Sequence, residues 1–258
     1  MSQLSAEHIS LSFRRKGHNN PVLDNISLQI NKGSSVVLLG PSGCGKSTLL
    51  NILAGFQEPG QGQVRLNHKI LNAPSGERAV VFQDDALLPW LNVLENVAIG
   101  LRINGIGKSE RQAKAQHFLT LVGLKNYANH HVHELSGGQR QRVGLARALA
   151  IEPDFILLDE PFGALDALTR EKMQGLLLEI WKQTEVGIFL ITHSVDEGLL
   201  LATELYVLKG PPVKVVHHTF PGYAQRFLAG EAVSQLKTES GFAKQRQQLL
   251  DYLLGEEL

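Results

Sequence analysis

Gly40-Pro41-Ser42-Gly43-Cys44-Gly45-Lys46-Ser47 puts glycines, a lysine and a hydroxyl into one short segment. Glycines let a backbone curl so that successive N–H groups converge on phosphate oxygens, and a following helix adds its dipole. Lys46 can then reach the β- and γ-phosphates of a nucleoside triphosphate, and Ser47 can ligate Mg2+. The segment fits G-x-x-x-x-G-K-[ST], which requires a strand before it and a helix after it. Val36-Val37-Leu38-Leu39, apolar on both faces, reads as that strand, and Lys46 to about Ala54 as that helix. Thr48, on the first turn, joins the nucleotide-binding set. Phe155-Ile156-Leu157-Leu158-Asp159-Glu160 is an apolar strand ending in two carboxylates. Asp159 is expected near Mg2+, directly or through water, and Glu160 where a base could polarise an attacking water. Leu135-Ser136-Gly137-Gly138-Gln139 opens another helix N-terminus, a second anion site.

With those motifs beside it, Leu135 to Gln139 resembles the signature of the ABC-type ATPases. The resemblance implies that Ser136, Gly137, Gly138 and Gln139 meet the γ-phosphate of a nucleotide held by a second copy. Two chains would pair head to tail around two ATP molecules. It also implies that Gln83 senses Mg2+ and the attacking water, and that Ala164-Leu165-Asp166 crosses the dimer interface. His193 matches the switch histidine near the γ-phosphate. Phe13 stands where the family has an aromatic that stacks on adenine; an aromatic on an alternating strand can equally be core, so both readings stand. Ser194 departs from the pattern, because many relatives have Asp after the histidine. Cys44 reads as a small filler, although a helix N-terminus can lower a thiol's pKa. His130, His131 and His133 with Glu134 match no zinc spacing and read as a solvated loop.

The elements that must position these residues come from 258 residues, enough for one or two domains. Lys+Arg and Asp+Glu are both 25, so a neutral chain gives no electrostatic reason to expect nucleic acid. Hydrophobic residues at 43% and charged residues at 19% are ordinary globular composition. The longest unbroken apolar runs, such as Phe155 to Leu158, are far short of the roughly 20 residues of a membrane span. Met1 to Ser10 lacks a basic patch followed by an apolar stretch, so no secretory leader is expected. A single cysteine fits a reducing compartment.

Alternation predicts strands at Ile9–Phe13 and Ile26–Ile30, and shorter strands at Val64–Leu66, Ala79–Phe82 and Ile188–Ile191. The stretch from about Asp84 to Glu134 looks mostly helical. Ser109 with Gln112, and Ser136 with Gln139, predict capping boxes; Ser194 with Glu197 predicts another cap. A helix is expected over Ala167–Thr184. After Gly210-Pro211-Pro212 the pattern loosens, until Phe242 to Leu254 reads as an amphipathic helix with Phe242, Leu249, Leu250, Leu253 and Leu254 on one side. Alternating strands and helices around a helical insert indicate an α/β fold. The resemblance adds a P-loop NTPase core with a RecA-like parallel sheet, an N-terminal antiparallel β-subdomain and an inserted α-helical subdomain. The expected division is one ATPase domain over 1–258: core and β-subdomain at 1–83 and 135–209, helical subdomain at 84–134, tail at 210–258.

Three functions compete: ATPase subunit of a membrane importer, the same engine in an exporter, or a non-transport member acting on DNA or ribosomes. No basic surface, coiled-coil insert or second cassette supports the last. Exporters commonly fuse membrane helices to the ATPase, and here those must come from another chain, which favours the importer. The resemblance makes Asp84 to Val97 the groove for a permease helix, with Leu87, Leu88 and Trp90 as apolar anchors or, alternatively, as subdomain core. Glu77 to Gln83, the Leu-Leu-Pro-Trp run, and Leu158 to Asp166 resemble the nitrate/sulfonate/taurine importer ATPases, and Gln225 to Glu231 looks most like their taurine-import branch. The implied assembly is a homodimer carrying ATP and Mg2+, peripheral on the cytoplasmic face of the inner membrane. It would contact integral permease subunits and, indirectly, a periplasmic or surface solute-binding protein. No regulatory extension of the kind some importer ATPases carry is expected.

Overall fold

The computed structural model describes residues 2–15, 18–84 and 86–255. Two long strands, β1 (Gln3–Arg15) and β2 (His18–Asn31), form a hairpin that runs into β3 (Ser35–Leu39), whose five side chains are all buried. Helix α1 (Lys46–Ala54) follows. The strands β4 (Gln61–Leu66) and β5 (Lys69–Ile70) then return to the hairpin, completing an antiparallel sheet in the order β2-β1-β4-β5. After β6 (Arg78–Val81) come α2 (Val93–Ile103), α3 (Lys108–Leu121), two short 3-10 turns and α4 (Gly137–Ala150). The chain continues through β7 (Phe155–Asp159), α5 (Ala167–Thr184), β8 (Gly187–Thr192), α6 (Val195–Leu201), β9 (Glu204–Lys209) and β10 (Lys214–Thr219). It closes with α7 (Tyr223–Leu228), α8 (Val233–Thr238) and α9 (Ser240–Leu254).

The second sheet has the order β10-β9-β3-β8-β7-β6 and is parallel except at β10, which runs antiparallel to β9. Its strands are apolar on both faces because both faces are covered. Val37, Leu39, Ile156, Leu158 and Leu190 pack under the helices, while Val36, Leu38, Phe155, Leu157 and Phe189 face α1 and the β-hairpin. Register aligns the strand ends: Leu39 lies opposite Thr192, Asp159 opposite Ile191, and Val81 opposite Leu158. The segments that leave β3, β8, β7 and β6 therefore emerge side by side at one edge, where ligands bind in open α/β sheets.

Three local expectations change. Ser109 caps nothing: α3 begins at Lys108 after Gly107, and the Arg111 N–H bonds Gly107 O at 2.9 Å, so Ser109 and Gln112 lie inside the helix. A box the sequence did not flag opens α2, where Asn92 Oδ1 accepts from the Glu95 N–H at 2.8 Å and Glu95 Oε2 from the Asn92 N–H at 3.1 Å. In α9, Phe242 and Leu249 are buried and Leu250 and Leu253 half-buried, but Leu254, the last helical residue, is 69% exposed. The loosely patterned stretch after Lys209 holds an edge strand and two short helices, whose turn is clamped by Arg226 donating to Glu231 at 2.8 Å and to Glu239 at 2.7 Å. Patterning is weak there because these elements are short.

Candidate active site

The loop after β3 ends in Gly45, whose φ of 115° no L side chain adopts easily; a Cβ there would also lie 2.9 Å from Val22 Cγ1. This lets α1 start at Lys46 with no side-chain cap, leaving its first N–H groups for a ligand. Lys46 is buried, and its ammonium donates to the carbonyls of Gly40 at 2.9 Å and Pro41 at 2.8 Å. Pro41, Ser42 and Gly43 are exposed, so the outer curve of the loop is accessible. Thr48 is half-buried one residue past Ser47. Burial pushes the Cys44 thiol up, outweighing the lowering by Lys46 and the backbone N–H groups, and its sulfur packs beside Gly40.

Ser47 Oγ donates to Asp159 Oδ1 at 3.1 Å. Burial raises the Asp159 carboxyl and the Ser47 bond partly offsets this. A hydroxyl and a half-buried carboxylate at that spacing form a hard-oxygen pair that suits Mg2+, whose charge would reverse the cost of burying Asp159. Glu160 adopts a left-handed φ of 44°, a strained setting for a non-glycine residue, held by its N–H bonding Ile191 O at 3.1 Å. That turn swings the carboxylate back over the strand ends. One oxygen lies 3.6 Å from Lys46 Nζ and the other 3.0 Å from His193 Nδ1. Gln83 joins from the end of β6: a Cβ on Gly163 would lie 3.8 Å from Gln83 Nε2 and 3.9 Å from Glu160 Oε2, so both flank that glycine. Lysine, serine, two carboxylates, histidine and glutamine, separated along the chain, thus converge at one sheet edge.

The ABC transporter family model matches residues 23–163. The chain belongs to the ABC transporter family. It is 63% identical over 254 residues to the Taurine import ATP-binding protein TauB of Pseudomonas aeruginosa, covering 98% of this chain and 97% of that one. It is 49% identical to the protein of that name from Burkholderia pseudomallei, covering 99% and 98%. A dimeric bacterial ABC transporter cassette superposes with a TM-score of 0.75 at 31% identity, covering 84% of this chain and 98% of that one. A post-hydrolysis dimer bound to ADP and Pi superposes with a TM-score of 0.74 at 30% identity and the same coverage.

In this ABC cassette Ser136 and Gln139 bond each other: Ser136 Oγ accepts from the Gln139 N–H at 3.3 Å and Gln139 Oε1 from the Ser136 N–H at 2.8 Å. Gly137 is exposed, whereas Gly138 is buried so close to α5 that a Cβ there would lie 2.7 Å from Thr169 Cγ2. Asp166 caps α5 by accepting from the Thr169 N–H at 3.0 Å, which holds its carboxyl below the usual range. Phe13 is 45% exposed on β1, opposite Asn20, so it is not core. Ser194 keeps its capping role, accepting from the Glu197 N–H at 3.4 Å.

The three groove anchors separate. Leu87 is buried, the subdomain-core alternative of the two readings; Leu88 is half-buried; Trp90 is 72% exposed. Buried Asn96 holds this turn, accepting from the Leu88 N–H at 2.8 Å and donating to the carbonyls of Leu88, Leu91 and Asn92. Asp85, within the expected groove, lies outside the described residues. His131 and His133 stack at 5.6 Å in a turn where Glu134 accepts from the His131 N–H. Among the described residues no helix is long and apolar enough to cross a membrane. Sequence reasoning passed over Thr192, Arg170 and Gln174 and took Glu197 only as the cap partner of Ser194; the four interlock behind His193. The available signal was Glu197 itself, a second carboxylate after Asp196 at the start of a helix whose remainder, Gly198 to Ala202, is apolar.

Proposed function

We propose that the chain is the ATP-hydrolysing subunit of a membrane importer for taurine, working as a head-to-tail pair on the cytoplasmic face of the inner membrane. The observation that carries the hydrolytic reading is the Glu160 carboxylate held between Lys46 and His193. Glu160 takes a proton from the water that attacks the γ-phosphorus, and ADP leaves with the β–γ bridging oxygen. Lys46 leaves its carbonyl partners to balance charge on the β- and γ-phosphates. His193 holds the γ-phosphate, Gln83 orients the water, and exposed Phe13 offers a face for adenine. Ser47 and Asp159 would hold Mg2+, which neutralises phosphate charge. Ser136, Gly137, Gly138 and Gln139 serve the nucleotide of the second copy, and Asp166 lies at the interface between copies. Binding of ATP closes the pair, and hydrolysis reopens it, because ATP binds the closed state better. Trp90 is the exposed anchor for a permease helix, and a solute-binding protein delivers the solute from the other side.

The solute rests on likeness to relatives named for taurine import, at up to 63% identity across nearly the whole chain. In a strain lacking its own copy, the chain should restore uptake of radiolabelled taurine, and Glu160→Gln should not. Restored uptake that nitrate or an alkanesulfonate suppresses better than taurine would reassign the solute and leave the ATPase reading standing.

A further inference from the structure

Glu197 is 5% exposed on α6, whereas its neighbour Asp196 points outward to pair with Arg246 at 2.8 Å. The Glu197 carboxylate does not reach back to complete a capping box with Ser194. It accepts instead from Thr192 Oγ1 at 2.5 Å and from Gln174 Nε2 at 3.4 Å. Thr192 Oγ1 in turn accepts the Ser194 N–H at 3.0 Å, so one carboxylate braces both residues that flank His193. Its other side faces α5, where Gln174 lies one turn after Arg170. Arg170 Nε stands 3.9 Å from Glu197 Oε1, and Arg170 Nη2 donates to Leu165 O at 2.9 Å. Leu165 precedes Asp166, the cap of α5. Contacts therefore run from the flanks of His193, through Glu197 and Arg170, to the corner at Leu165–Asp166.

A buried carboxylate is expensive, and apolar packing would stabilise α6 at least as well. Burial raises the Glu197 carboxyl, with Thr192 and then Arg170 working against that rise. Arg170 Nε is buried and makes no hydrogen bond among the described residues. A shift of roughly 1 Å would turn the 3.9 Å contact into a charge-assisted hydrogen bond. The link is thus slack at one joint and tight at the other.

We propose that Glu197 is a positioning residue that ties the His193 loop to the Leu165–Asp166 corner, so that movement of the corner is felt at the imidazole. The inference rests on the reading of Glu160 and His193 as the hydrolytic pair. It also rests on that of the corner as an interface between copies.

The test uses the full chain with Mg-ATP. Glu197→Gln keeps the volume and an acceptor for Thr192 but removes the charge; Thr192→Val removes, at constant shape, both the donor to Glu197 and the acceptor of the Ser194 N–H. Each should lower kcat roughly tenfold while KM and nucleotide affinity stay within about twofold. The double variant should be no slower than the slower single one, because both break the same link. Arg170→Lys, which keeps the charge, should lose less than Arg170→Met. Unchanged kcat with only a lower melting temperature, or losses that multiply in the double variant, would overturn the proposal. If Glu197→Gln fails to fold, Thr192→Val and the Arg170 pair decide. Wild-type hydrolysis by Glu160→Gln would remove the hydrolytic reading itself. An inactive Glu160→Gln beside a fully active Glu197→Gln would remove only the present inference.

Discussion

Glu160 shows how much a single backbone angle does. A β-region conformation would carry the chain straight on past the sheet edge; the φ of 44° turns the carboxylate toward Lys46 and His193 instead. Strain at such a position, of order 1–3 kcal/mol, persists only when the surroundings hold it. Here the bonds from Glu160 N to Ile191 O and from Gly163 N to Glu160 O do so. Glutamine fits the same space and cannot accept the water proton. Glu160→Gln should therefore bind ATP normally and hydrolyse it about 10² to 10⁴ times more slowly, roughly 3 to 5 kcal/mol of barrier. Asp159→Asn should weaken Mg-ATP binding as well, because it removes a charged oxygen paired with Ser47. Size-exclusion chromatography with Mg-ATP separates the two: Glu160→Gln should shift to a dimer and Asp159→Asn should stay a monomer.

At the scale of elements, the start of α4 is set by how closely it lies on the start of α5. Gly138 permits the approach: a Cβ would come within 2.7 Å of Thr169 Cγ2, well inside van der Waals contact. Gly138→Ala should thus cost about 1–3 kcal/mol through overpacking and push the start of α4 away from Thr169. Thr169→Ser deletes that methyl, so the double variant should recover most of the lost stability. Urea denaturation of the four proteins measures this. A Gly138→Ala chain as stable as wild type would mean that α4 can slide freely on α5. The capping reading of Ser136 with Gln139 was legible in the sequence because a box is local. The close packing at Gly138 was not, because Thr169 comes from a distant segment.

For the whole molecule, the main consequence is that Ser136 and Gln139 satisfy each other, apart from the phosphate loop's own partners. If that end of α4 serves a second copy, Ser136→Arg should leave nucleotide affinity of the single chain within about twofold and abolish ATP-driven pairing. Mixing Ser136→Arg with Lys46→Ala should leave at most one working composite site per pair, so hydrolysis should reappear in the mixture. Analytical ultracentrifugation and phosphate release read these outcomes. Loss of ATP affinity in the Ser136→Arg monomer would show that the segment serves its own nucleotide.

The phosphate loop, the strand ending in Asp159–Glu160, the helices Lys46–Ala54 and Ala167–Thr184, and the buried parallel strands were all readable from residue order. Each depends on a contiguous pattern: glycine spacing, an apolar run, a helical period. Tertiary structure decided what contiguity cannot carry. Strand register set Leu39 against Thr192 and Asp159 against Ile191, and so brought His193 to within 3.0 Å of Glu160 across 33 residues of chain. Packing chose burial for Leu87 and exposure for Trp90 within one short turn, because Asn96 fixes that turn with four hydrogen bonds. Long-range packing likewise brought Gln174 and Arg170 of α5 to the Glu197 carboxylate, which does not turn back to its own helix cap. A buried acid takes whichever donors the fold supplies, and those donors lie on strands and helices that meet only when the sheet is assembled.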